Sequence, residues 1–121
     1  MAKILIVEDD QPFRNVLIQL FQKENFEVTG CTDGVDAIKI LKNDTFDVIV
    51  TDIIMPKKDG MALIVELRRN QPNIHIIAIS GGARQIDPLN PLKIAKRVGA
   101  EYTFTKPFKL AELLSAVRSL L

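Results

Sequence analysis

Short runs rich in Ile, Val, Phe and Thr alternate with stretches whose apolar residues recur at helical spacing, and this alternation limits the fold more than any other feature of the chain. The runs are KILIVE (Lys3–Glu8), FEVTGC (Phe26–Cys31), FDVIVT (Phe46–Thr51), IHIIAI (Ile74–Ile79) and EYTFT (Glu101–Thr105). Between them Phe13, Val16, Leu17, Leu20 and Phe21 fall on one helical stripe, followed by Ala37, Ile38 and Leu41, by Leu63, Ile64 and Leu67, and by Ala95 and Val98. A last helical pattern carries Leu110, Leu113, Leu114, Val117, Leu120 and Leu121. Strict alternation of five strands with five helices predicts an α/β fold, a parallel sheet covered on both faces. The first, third and fourth runs are nearly all apolar, as doubly covered central strands should be, whereas FEVTGC alternates as an edge strand would. Asn25 and Gly99 stand where helices should stop, TDG (Thr32–Gly34) marks a strand exit, and NQPN (Asn70–Asn73) ends the third helix.

The 121 residues show no internal repeat, low-complexity tract or linker, so residues 1–121 read as a single domain. Lys and Arg number 16 against 15 Asp and Glu, which leaves no strong field to draw the chain onto nucleic acid or an anionic membrane. No apolar stretch approaches the ~18 residues of a membrane-spanning helix, and the run after the N-terminal Met is too short for a signal peptide. The expectation is a soluble, cytoplasmic protein without membrane insertion or direct nucleic-acid binding. The last helix reaches the final residue, so output is expected through protein contacts rather than an attached effector domain. One cysteine, Cys31, and one histidine, His75, exclude an intramolecular disulfide and a Cys/His zinc cluster. Cys31 reads as a packing thiol and His75 as a side chain near a strand's start.

In an open parallel sheet, ligands bind beyond the carboxyl ends of the strands, where strand order reverses. The first strand ends in Glu8, Asp9 and Asp10, the third delivers Asp52, the fourth Ser80 followed by Gly81 and Gly82, and the fifth Lys106 followed by Pro107. Taken singly, such residues are common as helix caps and turn formers, and Asp10 fits a cap for a helix with Pro12 in its first turn. Together they put mutually repelling carboxylates, a hydroxyl and a lysine on one rim. A divalent cation would relieve that repulsion, and with hard oxygen donors alone Mg²⁺ is favoured, with Mn²⁺ as the other candidate.

The motifs ILIVEDD, VIVTDIIMPKKDG, IIAISGG and TKPF together resemble the receiver domain of two-component response regulators along the whole chain. The resemblance implies a flavodoxin-like, doubly wound sheet of order 2-1-3-4-5. It also implies that Asp52 is the phosphoacceptor, Ser80 the hydroxyl that binds the phosphoryl group and Lys106 its cationic partner. Asp9 would ligate Mg²⁺ directly and Glu8 through water, with Asp52 and the Ile54 carbonyl completing the protein ligands. The donor would be a phosphohistidine of a sensor histidine kinase or histidine phosphotransfer protein, and the output a downstream protein target. The chain would then be a phosphorylation-dependent switch in a phosphorelay, and no enzyme beyond catalysing its own phosphorylation and dephosphorylation. The resemblance further implies a cis Lys106–Pro107 bond.

Thr103 stands where the family usually carries an aromatic residue, with Tyr102 one position earlier and facing the other way. The segment GGARQIDPLNP reads as a long loop, with the next helix starting at Asp87 and Pro88 or at Asn90 and Pro91. Two other functions compete with the switch. One is a pseudo-receiver that binds partners without phosphorylation. The other is an aspartyl phosphatase, which would want a second acid where Ile54 stands.

Overall fold

The computed structural model describes residues 1–53, 60–81, 95, 96 and 99–121. In chain order its elements are β1 (Lys3–Val7), α1 (Gln11–Lys23), β2 (Glu27–Cys31), α2 (Gly34–Asn43), β3 (Val48–Asp52), α3 (Gly60–Asn70), β4 (His75–Ser80), β5 (Tyr102–Thr105) and α4 (Leu110–Leu120). The strands form one parallel sheet in the order β2-β1-β3-β4-β5. Four helices therefore stand among the described residues where five were expected. Of the helix expected around Ala95 and Val98, Ala95 and Lys96 are helical, and the rest, with both proposed starts, lies outside the described residues.

Alternation along the central strands sorts side chains into two cores. Leu5, Val7, Ile49, Ile76 and Ala78 face α2 and α3, meeting Ala37, Leu41, Leu63, Ile64 and Leu67, and Ala95 buries in the same layer. Ile4, Ile6, Val48, Val50, Ile77 and Ile79 face the other way, against Leu17 and Phe21 of α1 and Leu113, Ala116 and Val117 of α4. Each fully buried Leu or Ile contributes about 1.5–3 kcal/mol relative to an exposed one, so apolar runs of this kind are most stable covered on both faces. The edge strand β2 departs from simple alternation: Glu27 is exposed, Val28 to Gly30 are half-buried, and Cys31 is buried. Val16, expected within the apolar stripe of α1, is 44% exposed, because the helix turns only Leu17 and Phe21 fully inward.

Local chemistry sets the element ends. Asp10 is the N-cap of α1 and accepts from the Phe13 N–H, as its place before Pro12 suggested. Asp33 caps α2 through the Asp36 N–H at 2.9 Å. Asn25, at φ +69°, lets the chain leave α1 for β2. The amino end of the sheet is closed by Arg68 of α3. Its guanidinium donates to the carbonyls of Gly99 (2.8 and 3.1 Å), Pro72 (3.1 Å) and Ile74 (2.6 Å) and to the Glu101 carboxylate (3.1 Å). Glu101 in turn meets Nδ1 of His75 at 2.9 Å, so the lone histidine belongs to this closure at the strand's start. No helix among the described residues is long and apolar enough to cross a membrane.

Candidate functional site

Parallel pairing fixes what meets at the carboxyl end of the sheet. Val7 lies opposite Thr51, so Glu8 and Asp52 are the next residues of two neighbouring strands. This is the switch point of the sheet, since β1 is followed by β2 on one side and flanked by β3 on the other. Asp52 pairs with Ile79, which places Ser80 one step further along, and Ser80 pairs with Thr105, whose successor is Lys106. The Lys106 N–H donates to the Ser80 carbonyl at 2.8 Å, and the Lys106–Pro107 bond is cis as expected.

One carboxylate oxygen each of Glu8, Asp9 and Asp52 lies within 4.8 Å of the others. Glu8 and Asp52 are buried at 2% and 7% exposure, while Asp9 is exposed. The Lys106 ammonium sits 3.1 Å from Oε1 of Glu8 and 3.4 Å from Oδ2 of Asp52. Burial, and after it the charge of Asp52, push the Glu8 carboxyl up from its ordinary 4.5 to about 7, against the pull of the Asp10 N–H and Lys106. For Lys106 burial works against the charge, but hydrogen bonding and attraction to Glu8, followed by Asp52, outweigh it and raise its pKa. Among the described residues the rim thus sets three carboxylates against one ammonium.

The structure brings Glu8, Asp9, Asp52 and Lys106 together, with Ser80 half-buried at the end of the adjoining strand. Ile54 lies outside the described residues. Asp10 turns to the helix instead, as a cap. Tyr102 directs its hydroxyl to Ser119 Oγ at 2.8 Å, toward α4, and Thr103, on the opposite side of β5, occupies the position three before Lys106. Cys31 is buried with its thiol pushed up to about 12, first by burial and then by Asp36 and Asp33, which suits an inert packing group. Two residues near the site were not singled out from sequence. Arg14 donates from Nη1 to the Glu8 carbonyl at 2.7 Å, and the Phe13 ring lies 4.4 Å from the Lys106 ammonium. Both read as ordinary helix positions, and only a neighbouring lysine gives the ring an electrostatic partner.

Comparison with known proteins agrees with this geometry. The chain is 36% identical over 118 residues to the aerobic respiration control protein ArcA of Escherichia coli K12, covering 98% of this chain and 48% of that one. It is 32% identical over 121 residues to the response regulator SaeR of Staphylococcus aureus, covering 100% and 51%. The chain thus spans about half the length of the curated relatives it matches. Among solved structures, the response regulator TrrA of Thermotoga maritima, in complex with Mg²⁺-BeF, superposes with a TM-score of 0.86 at 26% identity, with 100% of each chain covered. The family model of the response regulator receiver domain matches residues 4–118, and with it the chain belongs to the receiver domains of two-component response regulators.

Proposed function

We propose that this receiver domain is a phosphorylation-dependent signalling switch in which Asp52 takes a phosphoryl group from a phosphohistidine. The observation that carries the reading is the buried Asp52 carboxylate at the end of the central strand, with Lys106 at 3.4 Å and oxygens of Glu8 and Asp9 within 4.8 Å. An all-oxygen, carboxylate-rich donor set, in which burial and the charge of Asp52 push the Glu8 carboxyl up, fits a hard divalent cation. Glu8, Asp9, Asp52 and the Ile54 carbonyl would hold Mg²⁺, or Mn²⁺ on the same donors, and the Mg²⁺-BeF complex of TrrA supports this. When bound, the cation supplies positive charge that lets an anionic acceptor and an anionic donor approach.

The chain's own residues do the rest by positioning. A carboxylate oxygen of Asp52 attacks phosphorus; the new O–P bond forms as the P–N bond breaks, and the imidazole leaves with the bonding pair and takes a proton from solvent. Lys106, already beside Asp52, neutralises an oxygen of the transferring group, and the Ser80 hydroxyl donates to another. Reset is attack of water on phosphorus, which breaks the O–P bond, returns the Asp52 carboxylate and releases inorganic phosphate. On this reading the chain catalyses only its own phosphorylation and dephosphorylation. Its donor is a sensor histidine kinase or histidine phosphotransfer protein, its output a protein target, and its compartment the cytoplasm.

The test is exposure to a small-molecule phosphodonor with and without Mg²⁺, followed by intact mass. Wild type should gain one phosphoryl group only with the cation. Asp52→Asn should gain none while keeping its circular dichroism spectrum. Uptake by the Asn variant at the wild-type rate would falsify the acceptor assignment, and absence of uptake by wild type would favour a pseudo-receiver.

A further inference from the structure

Beside its two carboxylates, the Lys106 ammonium has an aromatic neighbour: it lies over the ring of Phe13, 4.4 Å from the centroid. We propose that Phe13 is a positioning residue for Lys106, its ring holding the ammonium at the rim where Asp52 accepts its phosphoryl group. The inference rests on the assignment of Asp52 as phosphoacceptor.

The lysine needs such a hold. Its four-carbon stem is flexible, and its ammonium stands closer to Glu8, at 3.1 Å, than to Asp52, at 3.4 Å. With carboxylates alone as partners, the cation is free to follow Glu8. A third carboxylate would add negative charge where an anionic phosphoryl group must arrive, and an aliphatic side chain would fill space without attracting a cation. A ring face attracts the ammonium through its quadrupole and brings no net charge.

The ring is itself fixed from both sides of the site. Phe13 is in the first turn of α1, and its N–H faces the capping carboxylate of Asp10 at 3.5 Å, which ties it to the Glu8–Asp10 segment. Its ring meets Phe108 edge to face, with centroids 6.1 Å apart and planes at 81°. Phe108 follows Lys106 by one intervening proline and packs in turn against Phe104 of β5, with centroids 5.2 Å apart and planes tilted at 41°. Phe13 therefore bridges the acidic segment and the lysine segment, the two pieces of chain that must be in register for the chemistry. A ring that only filled core space on an amphipathic helix would be replaceable by leucine.

The experiment compares wild type with Phe13→Leu and Phe13→Tyr. The ring-current shift of the Lys106 ε-CH₂ protons is read by NMR. The initial rate of phosphorylation by acetyl phosphate at saturating Mg²⁺ is measured alongside, with the thermal midpoint of each variant. The Lys106 ε-protons should be shifted upfield in wild type and in the Tyr variant and return to the ordinary position in the Leu variant. The rate should fall roughly threefold to tenfold in the Leu variant and be restored by Tyr, the range a cation–ring contact supplies. Equal impairment of Leu and Tyr, or a Leu variant at the wild-type rate, overturns the proposal. Absence of the upfield shift in wild type overturns it without any variant. If wild type shows the shift but takes up no phosphoryl group, the acceptor assignment has failed and the placement of Lys106 by Phe13 stands.

Discussion

Replacing Glu8 with Gln should make the cation-free chain more stable near neutral pH and weaken its hold on Mg²⁺. Glu8 is 2% exposed, faces Asp52, and has its pKa pushed from 4.5 to about 7. At about 1.4 kcal/mol per pKa unit, keeping Glu8 ionised in the folded chain costs about 3 kcal/mol. The folded chain retains a proton in a range where the unfolded chain has released it, so stability must fall as pH rises from 4.5 to about 7. The contribution of this group is full below that window and gone above it. Glutamine keeps the shape and an oxygen for Lys106 but has no proton to lose, so its curve should be flat across the window. Urea unfolding in chelator, followed from about pH 4.5 to about pH 8, should show the Gln variant gaining on wild type by up to about 3 kcal/mol, roughly 10 °C in Tm for a domain of this size. Saturating Mg²⁺ should reverse the order, since binding stabilises only the chain that binds it well. Parallel pH curves for the two proteins, or a Gln variant less stable at about pH 8 in chelator, would refute the reasoning.

Other outcomes follow from the same contacts. Mg²⁺ affinity should decline as pH falls below about 7, approaching tenfold per unit where one proton must leave as the cation enters, and titration calorimetry in two buffers would show that proton release. Gly60→Ala should destabilise by about 2–4 kcal/mol and slow phosphorylation, because its Cβ would stand 2.1 Å from the Asp52 carbonyl oxygen and 2.6 Å from the Ile53 Cα, both backbone; an Ala variant with the wild-type urea midpoint counts against this. Arg68→Met should lose about 2–4 kcal/mol by leaving the carbonyls of Gly99 and Ile74 without their donor, yet its folded fraction should be phosphorylated at the wild-type rate.

The elements of this fold were legible because the central strands are buried on both faces and so spell continuous apolar runs, while Asn25, Gly99 and the acids at strand ends interrupt them. Boundaries moved by a residue or two: β3 starts at Val48 rather than Phe46, where Asp47 instead accepts the Lys3 N–H with its side chain at 2.8 Å. Strand order was not legible from periodicity, which says which face a residue takes but not which strand lies next to it; the order came with the family motifs. The rim acids, Ser80 and Lys106 could be found because each sits next to a strand end. The Phe13 contact with Lys106 and the closure made by Arg68, Glu101 and His75 could not, since each joins residues distant in sequence whose types are ordinary for a helix face or a strand start. Val16 shows the opposite failure, an apolar residue at the right spacing that is left 44% exposed.

The two ends of the sheet carry ionic assemblies of opposite character, and the contrast locates function by energy rather than by motif. At the amino end Arg68 donates to three carbonyls and a carboxylate, and Glu101 also meets His75, so the polar groups of this closure are matched to one another. At the carboxyl end three carboxylates face one ammonium among the described residues, and burial, followed by the charge of Asp52, displaces the pKa of Glu8 upward. Selection for stability alone would remove such a conflict if, as predicted above, a neutral isostere at Glu8 stabilises the cation-free chain. A charge conflict at the switch point of the sheet, in described residues that are otherwise locally consistent, is what the proposed cation site would require. The sign of the response distinguishes the two ends: neutralising Glu8 at the carboxyl rim should raise stability in chelator, and removing Arg68 at the amino end should lower it.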